Sequence, residues 1–191
     1  MIARCGLVWD TPLVFKRYIE DCGIACEHVT PQLLAAPFYR GTFGTLIIPT
    51  GYANPAYSRL LPALRASSGR IRRFVERGGN LLVFGAGDTR PDLYDWLPFP
   101  VTYHHNHRTC RISLDLSRRF ASIVADYDPA AIPCDGYFFP HEGDIIATSD
   151  EQAVMVEKVT GSGIILVTTI HEYPSRAFLL DFCGDVSKTL F

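Results

Sequence analysis

The sequence predicts an α/β fold, a three-layer sandwich around an open and mainly parallel sheet, in a single domain over residues 1–191. Three observations carry that expectation. Before residue 98, short apolar runs alternate with amphipathic segments, the pattern of parallel strands joined by crossover helices. The stretch Gly78–Asp88, GGNLLVFGAGD, sets four consecutive apolar residues (Leu81–Phe84) between a glycine pair and a tight Gly-Ala-Gly turn. A run of that length suits a strand covered on both faces. A similar run, Ile164–Thr168, follows the turn Gly161-Ser162-Gly163.

Each element has its local reason. Ile2–Trp9 reads as a strand, and Asp10-Thr11-Pro12 as the opening of a helix, with a capping side chain and a proline near the first turn. Leu13, Val14 and Ile19 give that helix an inward face, and Gly23 ends it. Ile24–Val29 is the second strand, Pro31–Ala36 a helical turn, and Thr45–Ile48 a strand stopped by Pro49-Thr50-Gly51. Pro55–Arg77 contains a long helix, irregular at Ser67-Ser68-Gly69 and closed by Gly78-Gly79. Beyond Asp88, Pro91–Leu97 and Ser117–Asp126 read as helices. Pro100–His105, Cys110–Leu114, Asp135–Phe139, Ile145–Ala147 and Ala153–Val159 read as antiparallel or mixed strands. A last helix covers Ser175–Phe182.

Composition narrows the function classes. A net charge of −2 without a Lys/Arg run offers no footprint for nucleic acid. No segment has membrane-spanning length, and MIARCGLVWD is too short an apolar stretch for a signal peptide, so a cytoplasmic protein is expected. Six scattered cysteines without a Cys-x-x-Cys pair read as small buried hydrophobes, although Cys22 and Cys26 flank a helix–strand turn and could meet. No cofactor motif is read.

Ligands of open α/β sheets bind at the carboxyl ends of strands, so the turns there hold the candidates. Gly85-Ala86-Gly87 is either a pocket floor that brings a ligand near backbone N–H groups or a turn that merely needs small residues. Asp88 can cap the N–H groups that follow. Asp10 is a helix N-cap or a pocket acid. His171 and Glu172 end a buried strand on the expected site face, where Tyr52 and Tyr173 line the same cleft or lie half-buried. In Tyr103-His104-His105-Asn106-His107, neighbouring imidazoles on a strand point to opposite faces. Without a metal-ligand spacing signature no metal site is read; the candidates for one are His105 and His107, which can share a face, with Cys110, His141 or Glu142 as further donors. Pro140–Gly143 reads as a hairpin turn.

Three of these pieces resemble, in order and spacing, the class I glutamine amidotransferase-like family, and most nearly its biotin-protein-ligase N-terminal-like branch. Ile47–Gly51 resembles its oxyanion loop, Ile71–Gly87 its helix, strand and nucleophile elbow, and Gly163–Pro174 the strand that delivers its catalytic His. The resemblance implies a flavodoxin-like sheet. It also sets Gly85 where the family has its nucleophilic Cys, Thr50 in place of a glycine, and Glu172 one residue from the family's carboxylate. A thiolate is required for that chemistry. What the resemblance implies is therefore a non-catalytic domain binding a small molecule or protein partner at a degenerate edge formed by Asp10, Thr50, Gly51, Tyr52, Ala86, Gly87, Asp88 and Tyr173. His171 is expected beside the turn, across a recess left by the missing nucleophile. The alternative is a hydrolase with a rebuilt, non-cysteine site using His171 and nearby carboxylates. A third reading is a metal-dependent enzyme on the histidine run. Homo-oligomerisation is left open, and neither a membrane nor a nucleic-acid partner is expected.

Overall fold

The computed structural model describes residues 4–184, 186 and 189–191. Of the first predicted strand, Ile2 and Ala3 lie outside the described residues. The first half runs β1 (Arg4–Val8), α1 (Val14–Asp21), β2 (Ala25–Val29), α2 (Pro31–Ala35), β3 (Thr42–Phe43), β4 (Thr45–Ile48), α3 (Leu60–Glu76) and β5 (Asn80–Val83). The second half adds β6 (Val101–Cys110), β7 (Ser113–Leu114), β8 (Ile132–His141), β9 (Asp144–Ser149), β10 (Gln152–Thr160), β11 (Gly163–Thr168), α4 (Arg176–Gly184) and β12 (Thr189–Leu190). The main sheet has the order β2-β1-β4-β5-β11-β10-β8-β6, with β9 on β10 and β7 on β9. β12 pairs with β3 in a separate two-stranded sheet.

β5 lies inside the sheet, parallel to β4 on one side and to β11 on the other. Its residues are all buried because both faces are covered. Alternation along the strands separates the two cores. Leu46, Ile48, Leu81 and Val83 pack with Leu60, Leu64, Ile71 and Phe74 of α3. Ile47 and Leu82 pack on the other side with Phe15 and Ile19 of α1 and with Phe178, Leu179 and Phe182 of α4. Each fully buried side chain of this size contributes roughly 1.5–3 kcal/mol relative to exposure. The end of α3 is fixed by the two glycines, as expected. The N–H of Gly78, at φ +103°, bonds to Val75 O (2.9 Å) and that of Gly79 to Phe74 O (3.0 Å), a Schellman closure.

The expectation of a mainly parallel, flavodoxin-like sheet is corrected: the sheet is mixed. β2, β1, β4, β5 and β11 run parallel, whereas the pairings of β10 with β11, β9 and β8, of β6 with β8, and of β7 with β9 are antiparallel. The seam is β11. The turn at Gly161, with φ +62°, sends the chain back along β10 while β11 keeps the direction of β5. Other elements differ too. α3 is continuous through Ser67-Ser68-Gly69, since the Ser67 hydroxyl donates to Leu34 O (2.9 Å) on α2 and keeps the serine inside the interface. Residues 91–97 form turns, and of Ser117–Asp126 only a 3-10 turn, Ala121–Val124, is helical. Of Pro140–Gly143, the expected hairpin turn, Pro140 and His141 extend β8, and Glu142-Gly143 lead to β9 without pairing the two strands, since both pair with β10.

All six cysteines are buried free thiols. Cys26 stands opposite Cys5 across β1 and β2 rather than against Cys22.

Candidate functional site

The site forms where the parallel half of the sheet gives way to the antiparallel half, around Asp135. This carboxylate is the exception in an apolar stretch of β8, with its side chain only 6% exposed. Backbone bonds between β8 and the segment after β11 fix its place: Asp135 N–H donates to Thr169 O (2.7 Å), and His171 N–H to Pro133 O (2.9 Å). The Thr169 hydroxyl donates to Gly136 O (2.7 Å). Gly136 lets β6 approach, since a Cβ there would stand 1.9 Å from His104 O.

On the other side of β8, β6 carries one extra residue. His105 pairs with Gly136 and Arg108 with Cys134, so Asn106 and His107 together oppose the single Asp135. A bulge of this kind re-aims a side chain. Here it turns His107 toward Asp135.

Three side chains therefore converge on one buried carboxylate. His171 Nδ1 lies 2.8 Å and His107 Nδ1 3.1 Å from Asp135 Oδ1. The Thr50 hydroxyl donates to Oδ2. The two imidazole rings meet edge to face, with centroids 5.5 Å apart. Burial pushes the Asp135 carboxyl up, but the hydrogen bonds from His171 and Thr50 outweigh it and hold the group below its ordinary value. His171 is raised, chiefly by its hydrogen bond to Asp135. The imidazoles themselves reach outward, with side chains 46% (His171) and 58% (His107) exposed.

Two cavities meet at this cluster. The polar one, of about 680 Å³, is lined by Thr50, Gly51, Asn54, Gly87, His105, His107, Asp135 and His171 among others. The apolar one, of about 350 Å³, has Phe15, Phe84, Glu172 and Tyr173 in its walls. Trp9, Thr50 and His171 border both.

The expected site residues divide accordingly. Thr50, Gly51, Gly87, His105, His107 and His171 come together at the polar cavity. Gly51 and Gly87, with φ of +79° and +72°, belong to two turns so close that a Cβ on Gly87 would be 2.8 Å from Gly51 Cα. His105 is set apart from the cluster, its Nδ1 2.8 Å from the hydroxyl of Tyr103, which donates to Asp135 O. Glu172 and Tyr173 fall in the apolar cavity, where Tyr173 stacks on Phe15 at 4.5 Å.

Four expected positions are elsewhere. Asp10 does not cap α1. It accepts from Ser58 Oγ (2.6 Å) and Arg59 N–H (3.1 Å), ahead of α3. Tyr52 is fully buried, with its hydroxyl donating to Leu93 O (2.9 Å) and its ring against Tyr94 and Trp96. Ala86 is also fully buried, and its carbonyl accepts from Ala53 N–H (3.1 Å). Asp88 accepts from Thr89 N–H (2.6 Å) and pairs with Arg90 (3.0 Å).

Nor is the space beside Gly85 an empty recess. A Cβ on Gly85 would stand 2.8 Å from both Cβ and Oδ2 of Asp135. The acid fills the space above Gly85, and His171 hydrogen-bonds to that acid. Sequence reasoning missed Asp135, although a lone carboxylate in the run Ile132–Phe138, followed by glycine, is a visible signal. Of the other proposed donors, Cys110 is buried, and His104, not assigned a role, stacks on Tyr137.

Fold and site together define a mixed α/β protein with a His–Asp–His cluster at the carboxyl end of a central strand. No family model and no curated protein matches the sequence. Solved structures do match in fold. A β-galactosidase from Bacillus circulans sp. alkalophilus superposes with a TM-score of 0.57 at 13% identity, over 93% of this chain and 29% of that one. The chain thus spans under a third of that enzyme's length. The cytoplasmic protein STM3548 from Salmonella typhimurium gives 0.58 at 9% identity, over 98% of this chain and 100% of that one. Cytoplasmic protein STM1381 from Salmonella typhimurium LT2 gives 0.55 at 11% identity, over 92% of each chain.

These matches overturn the resemblance to glutamine amidotransferases: the structures found are glycosidases and cytoplasmic proteins, and no family model supports the motifs. The non-catalytic amidotransferase-like reading goes with it, since the place expected to be bare carries a carboxylate held by two imidazoles. Among the described residues, no helix is long and apolar enough to cross a membrane.

Proposed function

We propose that the protein is a hydrolase that activates water with His171, oriented by Asp135, on a small substrate seated in the polar cavity. The observation that carries this reading is the 2.8 Å contact between His171 Nδ1 and the buried Asp135 carboxylate. With its Nδ1–H donating to Asp135, His171 keeps Nε2 as the basic nitrogen (a tautomer assigned from the hydrogen bonds). Base catalysis is helped by an imidazole held in one orientation and by a carboxylate that stabilises the imidazolium as it forms.

Esters and amides are the substrates this arrangement suits. His171 takes a proton from water as the water oxygen bonds to the acyl carbon. The same proton then passes to the departing alcohol or amine as its bond to that carbon breaks. The adjoining apolar cavity is suited to a hydrophobic part of the substrate. Cytoplasmic location and a single domain complete the reading, supported by six free, buried thiols of the kind a reducing compartment maintains.

The test is hydrolysis of a panel of aryl and alkyl esters and anilides by the purified protein and by His171→Gln and Asp135→Asn. Turnover that falls by about 10²–10⁴ in both variants supports the reading, the range general base catalysis spans. No hydrolysis across the panel, or undiminished turnover by His171→Gln, overturns it.

A further inference from the structure

We propose that His107, Asp135 and His171 bind a divalent cation of the zinc type. Their donor atoms all lie within 4.8 Å of one another, from three separate parts of the chain: the bulge in β6, the middle of β8 and the segment after β11. Two imidazole nitrogens and one carboxylate oxygen form a borderline donor set, which suits zinc and its neighbours better than calcium or magnesium. Both Nδ1 atoms point at the same oxygen, at 2.8 and 3.1 Å. Around a tetrahedral ion with bonds near 2.0–2.1 Å, neighbouring donors stand about 3.3 Å apart. The two Nδ1–Oδ1 separations fall a few tenths of an ångström short of that spacing, and with all three donors within 4.8 Å of one another, rotation of the exposed imidazoles closes them around an ion that takes the place of the Nδ1 protons.

The surroundings fit a metal centre. The Thr50 hydroxyl holds Asp135 Oδ2, as the outer partners of metal ligands usually do, and leaves Oδ1 as the converging oxygen. The polar cavity lies against the cluster, so a fourth position can take water or substrate. The bulge supports the same conclusion: one inserted residue on β6 is what brings His107 to Asp135. His105, beside it, is held by Tyr103 instead.

This inference rests on the site of the hydrolase reading and changes one role in it: with a cation bound, His171 would be a ligand rather than the base, and the cation would supply the activation of water. Binding is nevertheless measurable without turnover. Chelator-treated, dialysed protein is titrated with Zn²⁺ by calorimetry and with Co²⁺ by visible absorption. One equivalent is expected, with the Co²⁺ bands of a four-coordinate nitrogen–oxygen site.

His107→Ala and His171→Ala should each weaken binding by at least about 100-fold, beyond what an outer partner costs. Both positions are exposed, and circular dichroism checks that the variants fold. His104→Ala, from the same histidine run, should bind as the wild type does. Absence of saturable binding by the wild type overturns the proposal, as does wild-type affinity in both His107→Ala and His171→Ala. The two readings fail separately. Tight one-to-one binding with no hydrolysis by any form removes only the hydrolase. Hydrolysis by chelated protein that binds no cation removes only the metal site.

Discussion

Gly85→Ala is a one-carbon perturbation aimed at the centre of the site. The added Cβ would lie 2.8 Å from Asp135 Cβ, 2.8 Å from Oδ2 and 3.2 Å from Cγ. The first two are closer than real carbon contacts allow, so either the turn or Asp135 must shift. The turn is poorly placed to yield, because Gly85 O accepts from Gly51 N–H (2.8 Å). Overpacking of this sort costs about 1–3 kcal/mol. Losing one hydrogen bond to the charged carboxylate adds about 1.5–3 kcal/mol. Partial relief through side-chain motion brings the expected total to about 3 kcal/mol, which lowers Tm by roughly 6–12 °C in a chain of this size. Urea unfolding and calorimetry measure it, and the Co²⁺ titration should show weakened binding in the same variant. A Gly85→Ala protein with wild-type stability and wild-type cation affinity would refute both the placement of Asp135 over the turn and its role as a ligand.

Three other expectations are independent of that one. Gly69→Ala, exposed inside the unbroken α3 with only Arg73 Nη1 within 4 Å (3.6 Å), should stabilise the protein by about 0.5–1 kcal/mol in urea unfolding. Tyr52→Phe should cost about 0.5–1.5 kcal/mol by removing one of the two donors to Leu93 O, the Trp96 Nε1 donor (3.1 Å) remaining, while leaving cation binding unchanged in calorimetry, since this tyrosine lies in the core. Zn²⁺ at about 100 times its dissociation constant should add about 2.7 kcal/mol of stability. Thermal melts should show the gain, and a chelator should reverse it.

The central strands were legible because their signals are local. β4, β5 and β11 are short apolar runs with glycine or proline at their ends, and the Gly78-Gly79 closure of α3 follows from backbone geometry. The antiparallel character of the later strands was legible too, but that they join the parallel strands in one mixed sheet was not, because pairing depends on partners far along the chain. The apolar spacing of Leu93, Tyr94, Trp96 and Leu97 imitates a helix. In the structure it arises from turns that pack these residues into the core, with Tyr94 donating to Phe84 O (2.8 Å) and Tyr52 to Leu93 O. The candidate site was half visible. His107 and His171 drew notice as residue types, but nothing local links them to an aspartate 28 and 36 positions away. Asp135 stands in a strand that otherwise reads as core, and only the fold shows what it serves.

The position of β11 in the sheet bears on how the chain can be made. β5 ends at Val83, yet its second neighbour begins at Gly163. Until that late segment has been synthesised, β5 is the border of the growing sheet. Its backbone N–H and C=O groups are then unpaired on one side, next to side chains that are all buried in the finished protein. Such a border recruits strands from other chains. A nascent or truncated chain that stops short of residue 163 is accordingly the form most prone to aggregate, and holding it apart from its copies until β11 docks is a task for chaperones rather than for the fold.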